Sequence, residues 1–146
     1  MIIYIISWFE KHNKISWIIT FIIAIIIYYI SSLTFQPGIK GGFPYRSILY
    51  HFLAFLGFAG FLLMSLVKGK LNNKTINFFL IAIITSIIYG ISDEIHQLFV
   101  PGRYFSIEDI LTDSAGILIA GFVYLIILVM NNSLLVLQES SESYSL

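Results

Sequence analysis

The chain has 146 residues, of which 58% are hydrophobic and 11% charged, with a mean hydropathy of +0.91. A soluble domain carries about 25% charged residues, so both disorder and an ordinary soluble domain are excluded. Eight Lys+Arg balance eight Asp+Glu, which speaks against nucleic-acid binding, and the lack of cysteine excludes disulfides, thiolate metal sites and cysteine nucleophiles.

A bilayer core about 30 Å thick needs roughly 20 apolar residues in a helix rising 1.5 Å per residue. Four runs meet that length: 15–35, 47–67, 75–92 and 114–138, with His51 the sole ionisable group in the second. Their apolar residues lie all round the helix, which suits lipid rather than a soluble core. The expected fold is therefore an all-α integral membrane bundle of four transmembrane helices, with a membrane domain over 1–135 and a polar, irregular tail from 136–138 to 146. Residues 1–9 are apolar but too short to cross, and are expected to lie in the interface. The first long run follows Lys11 and Lys14 as a secretory signal would. It is too long for one, no small-x-small cleavage site follows, and Tyr28, Tyr29 and Phe35 suit an interfacial belt.

Lysine and arginine in short flanks are retained on the cytoplasmic side. Lys11, Lys14, Lys68, Lys70 and Lys74 fall on one side, and Lys40, Arg46 and Arg103 on the other. Both termini are thus expected in the cytoplasm, with the connections 36–46 and 93–107 outside.

Five of the eight acidic residues lie in one short stretch: Asp93, Glu94, Glu108, Asp109 and Asp113. Carboxylates at membrane depth are expensive, so a cluster at the junction of two spans marks a candidate functional site. Ser31, Ser32, Gln36, Arg46 and His51 are expected at the same level, while the opposite end offers little beyond lysines. Tyr89, Asp93 and Gln97 share one helix face, and Asp109, Asp113 and Gly116 another, so the two faces are expected to meet. Asp93 and Glu94 approach the negative end of a helix dipole and need compensation, from Arg103, Arg46 or a bound cation.

Several of these residues also have a structural reading. Ser106-Ile107-Glu108-Asp109 has the spacing of a capping box, and Pro101-Gly102 that of a chain-reversing turn. Glu108 reads as a solvated first-turn acid and His12 as an interfacial residue. Gly116, Ala120, Gly57 and Gly60 read as points of close helix contact.

The run Ser92-Asp93-Glu94-Ile95-His96-Gln97-Leu98-Phe99-Val100-Pro101-Gly102-Arg103, then Ser106-Ile107-Glu108-Asp109 and Gly116, resembles the VanZ-like family. That family's pattern is an acidic pair, a Gln, a proline-glycine-Arg turn, then Asp and Gly. His51, followed by Phe52, matches the family's histidine at the start of span two. Two departures stand out: Ser47 and Ile48 occupy positions where members often carry an acidic–basic pair, and Asp113 stands where Asn is frequent. The resemblance implies a multi-pass protein of the cell envelope. Its named member is associated with low-level resistance to the glycopeptide teicoplanin, and some relatives carry enzyme labels such as phosphotransbutyrylase. This chain has no acyl-phosphate or coenzyme A loop to match such a label.

The first functional expectation is non-enzymatic. An outward polar pocket of His51, Asp93, Glu94, Gln97, Arg103, Asp109 and Asp113 binds a lipid headgroup, a lipid-linked envelope precursor or a lipoglycopeptide, with Arg103 on a phosphate. No cofactor is expected on this reading, and an oligomer is left open. The alternative is a membrane enzyme on a phospho-lipid, in which Asp109-x-x-x-Asp113 holds a divalent cation and His51 or Glu94 is the base. The stretch from Gly102 to Asp113 only faintly resembles lipid phosphotransferases, whose longer acidic motif is absent. A proton-coupled carrier ranks third, because four spans are few and inverted repeats are not evident.

Overall fold

The computed structural model describes residues 1–34, 44–67 and 71–143. Lys40, Lys68, Lys70, Gln36 and the side chain of Arg46 lie outside the described residues, so the expectations placed on them are not taken further. The described chain is all helical: α1 (Ile2–Lys11), α2 (Asn13–Ser31), α3 (Pro44–Leu66), α4 (Asn73–Gln97) and α5 (Ile107–Ser143). Helices α2 to α5 are each long and apolar enough to cross a membrane. In none of the four does the buried share of the most apolar stretch exceed 44%, so most of each surface is left to lipid.

Three boundaries differ from the sequence reading. Helix α4 runs on through Gln97, so the connection expected from 93 starts after it, and Asp93, Glu94 and Gln97 lie on the helix as their shared-face spacing anticipates. At the other end of the chain α5 continues to Ser143, so the segment expected to be irregular from 138 is helical to that point. No Gly or Pro follows Gly121, hence nothing in the sequence breaks the helix. Ile2–Lys11 form the extra helix α1, separated from α2 by a kink at His12, whose Nδ1 lies 2.9 Å from the Trp8 carbonyl. The imidazole stacks on the Trp8 ring at 4.3 Å.

Helix α3 is central and touches each of the other four. Its Phe55, Ala59, Leu62 and Leu63 recur at helical spacing on one face and are buried, with Ile27, Ala82, Ile117 and Tyr124 around them. Lipid tails are as apolar as these side chains, so association rests on close packing and interhelical hydrogen bonds. The closest packing is at Gly116 of α5, which lies against the α3 backbone at Phe52 and Leu56. Hydrogen bonds join Tyr89 Oη to the Ala24 carbonyl at 2.7 Å, Thr20 to Ser65 at 3.4 Å, and Tyr124 to Glu10. The end opposite the acidic cluster is thus not merely lysine-bearing: Ser16, Thr20 and Ser65 are buried there. The chain reverses between α4 and α5 at Pro101-Gly102, where Gly102 has φ 82°, a conformation that favours glycine.

Candidate functional site

Helices α3, α4 and α5 bring the sequence-predicted acids and His51 together at one end. His51, 3% exposed, projects from the second turn of α3 and donates through Nδ1 to Asp113 Oδ1 at 3.0 Å. Its Nε2 faces Asp109 Oδ2 at 3.9 Å, beyond hydrogen-bonding distance. A carboxylate accepts, so Nδ1 carries the proton in this contact, and in the neutral imidazole Nε2 is left to present its lone pair toward Asp109 and Glu94. Gly90 of α4 packs beside this pair, where a Cβ would lie 3.3 Å from the Phe55 ring and 3.4 Å from Asp113 Oδ2.

Glu94 is fully buried and held at both oxygens: Oε1 accepts from Gln97 Nε2 at 2.9 Å and Oε2 from the Ser106 backbone N–H at 3.0 Å. Gln97 also donates to Asp93 Oδ2 at 3.1 Å. Ser106 caps α5 as its spacing predicts, with Oγ accepting from the Asp109 N–H at 3.2 Å. The capping box is not closed within α5, however. Glu94 of α4 takes the Ser106 N–H that a box would give to Asp109, which leaves the Asp109 carboxylate to face His51.

Asp109 and Asp113 face different nitrogens of His51, Asp109 toward Nε2 and Asp113 toward Nδ1. Asp113 orients the imidazole, while His51, Glu94 and Asp109 each present one ligand-type atom within 4.8 Å of the others. Arg103 turns toward α2, donating through Nη2 to the Ile30 carbonyl at 2.9 Å and through Nε to Leu33 at 3.3 Å. It so meets the negative end of the α2 dipole. Tyr89, expected on the acidic face, instead stacks on Phe58 at 4.8 Å and bonds α2. Tyr50 was not singled out in the sequence, yet its hydroxyl is buried at this end without a hydrogen-bond partner among the described residues. The one signal was a tyrosine beside His51 inside an apolar span.

A polar cavity of about 740 Å³ opens above these groups, lined by Gln97, Arg103, Ser106, Asp109, Ser47 and Ile48, among others. Beside it, between α3 and α5, runs an apolar groove of about 600 Å³ lined by Ile48, Leu49, Phe52, Leu111, Thr112 and Ala115.

A family model described as VanZ/LLP1 matches residues 1–129. The chain belongs to the VanZ-like family. No curated protein and no solved structure gives a significant match to it. In this VanZ-like protein the family motif maps onto the end of α4, the Pro101-Gly102 turn and the first turns of α5. The two departures from the family pattern both fall at the site. Asp113 is the partner of His51, and Ser47 and Ile48 line the cavity.

Proposed function

We propose that this VanZ-like membrane protein binds an amphiphile, with a lipid headgroup or lipid-linked envelope precursor in the polar cavity and the apolar chain in the α3–α5 groove. One observation carries the reading: Ile48 lines both spaces, so the polar cavity and the apolar groove adjoin at the edge of the bundle. Acidic walls from Asp109 and Glu108 suit hydroxyl and amine groups of a headgroup. Teicoplanin, a lipoglycopeptide, carries both a polar body and an acyl chain, which is the chemical basis for linking the pocket to resistance. The larger number of lysines and arginines on the side of the termini supports a cytoplasmic placement of both, with this pocket outside.

Binding is tested by native mass spectrometry of detergent-washed protein loaded with phosphatidylglycerol or a polyprenyl-phosphate sugar. Wild type is expected to retain about one lipid per chain, and Ile48→Trp at least tenfold less with unchanged melting. Equal retention by the two proteins would overturn the reading. The resistance link is read in a susceptible Gram-positive host at matched membrane levels. Protection against teicoplanin but not vancomycin is expected for wild type, with loss in His51→Ala, Glu94→Gln and Arg103→Ala. Protection that survives all three substitutions would separate resistance from this pocket.

Orientation has its own test, because the chain lacks cysteine. A single Cys replacing Tyr104, 77% exposed near the turn, is expected to react with a membrane-impermeant maleimide on intact cells. Labelling only after lysis would invert the topology.

A further inference from the structure

We propose that His51 Nε2, Glu94 and Asp109 form a site for one divalent transition cation of the Zn2+ or Mn2+ type, with Asp113 positioning the imidazole. Three helices converge to place these groups, since His51 comes from α3, Glu94 from the last turn of α4 and Asp109 from the first turn of α5. Bonds of 2.0–2.2 Å to one ion hold their ligand atoms about 3 to 3.5 Å apart. The 3.9 Å between His51 Nε2 and Asp109 Oδ2 is too long for a hydrogen bond and close to that span. A small movement of the half-buried Asp109 side chain would close it.

Two further observations point to a ligand. The first is the Asp113–His51 contact, the arrangement in which an outer carboxylate fixes the tautomer of a metal-binding imidazole and raises its basicity. The second is that Asp113, 1% exposed, has a buried Oδ2 with no hydrogen-bond partner among the described residues, so the carboxylate that positions the imidazole from the Nδ1 side is left one partner short. Glu94, Asp109 and Asp113 bring three carboxyl groups, all potential anions, around one imidazole. A dication on Nε2 offsets their negative charge at the point where the helices meet.

One nitrogen and two carboxylate ligands suit zinc or manganese better than magnesium or calcium, which favour all-oxygen shells, or copper(I), which favours sulfur. The cavity that Asp109 lines supplies the entry path and the space for water or a headgroup oxygen to complete the shell. This deepens the amphiphile reading, because a bound cation would give a phosphate-bearing headgroup a positive partner in the cavity that Arg103 and Asp109 line. The site is tested without lipid, so the two readings can fail separately.

Purified full-length protein, stripped with chelator, is equilibrated with Zn2+ or Mn2+, freed of excess, and its metal content is measured by elemental mass spectrometry. Wild type is expected to hold one ion per chain, with zinc-edge X-ray absorption showing one imidazole and oxygen neighbours at about 2.0–2.2 Å. His51→Ala, Glu94→Gln and Asp109→Asn should each raise the Kd at least tenfold. For Asp113→Ala a rise of about 10- to 100-fold is expected, with Asp113→Asn recovering part of it because an amide oxygen still accepts the Nδ1 proton. Glu10→Gln, at the far end beside Tyr124, should bind as wild type. Wild type with intact helical circular dichroism that holds no stoichiometric metal at millimolar concentration would overturn the site. So would an absorption spectrum without imidazole, a test that needs no variant to fold.

Discussion

Gly116→Leu is expected to prevent accumulation of the folded protein, and Gly116→Ala to lower its stability by about 2–4 kcal/mol, at the upper end of what overpacking costs. A Cβ at Gly116 would sit 2.4 Å from the Phe52 carbonyl oxygen and 3.0 Å from the Leu56 nitrogen, both α3 backbone atoms. A side chain can rotate away from such a clash, whereas two helix backbones must separate. The α3–α5 contact is the most extensive in the bundle, so separation loses dispersion contacts along its whole length. It also draws His51 away from Asp109 and Asp113, which are carried by the same two helices. Gly60 provides the contrast. A Cβ there meets nothing within 4 Å, so Gly60→Ala should be neutral or stabilising, by up to about 1 kcal/mol, through helix propensity. Unfolding in detergent followed by circular dichroism decides between them; a Gly116→Ala protein that melts with wild type would refute the close approach.

The second large effect is expected at Glu94. Glu94→Ala removes the acceptor of the Ser106 N–H and of one Gln97 amide proton, and leaves a void at a fully buried position. An orphaned buried donor costs about 1–3 kcal/mol and the void adds to it, so a loss of about 3 kcal/mol is expected. The loss should be local first, at the start of α5. Hydrogen exchange at the Ser106 and Asp109 amides should accelerate by about tenfold for each 1.4 kcal/mol, while amides near Ile117 change less. Glu94→Gln keeps an acceptor and the volume, and should retain most of the stability while removing the charge. Unchanged exchange at Ser106 in Glu94→Ala would show that α5 does not depend on Glu94 for its cap.

Most of the site's composition was legible in the chain. His51, Asp93, Glu94, Gln97, Asp109 and Asp113 do gather at one end, because helical spacing and the cost of buried charge are local properties that the sequence carries. Their roles were less legible. The Asp109-x-x-x-Asp113 spacing offered a paired ligand set, but two residues four apart on one helix can face different neighbours once other helices pack against them. Asp113 sits a turn deeper and meets Nδ1, whereas Asp109 meets Nε2. Ser106 had the spacing of a cap, yet nothing in its surroundings in sequence named Glu94, twelve residues earlier, as the second half of the box. Arg103, one of three expected sources of compensating charge beside Arg46 and a bound cation, lines the cavity with Asp109 and also donates to the carbonyls that end α2.

The sequence by itself determined the four membrane spans, the short reversal at Pro101-Gly102 and the end of the bundle at which polar groups collect. Each follows from the transfer cost of single residues into lipid and from backbone preferences that act over a few positions. Tertiary structure alone decided how far the helices approach and how they are rotated. Gly116 lets α5 lie on the α3 backbone, and that contact sets the depth at which Asp109 and Asp113 bracket the two nitrogens of His51. Such pairings join residues more than fifty positions apart through offsets of a few ångströms, and no local pattern encodes them.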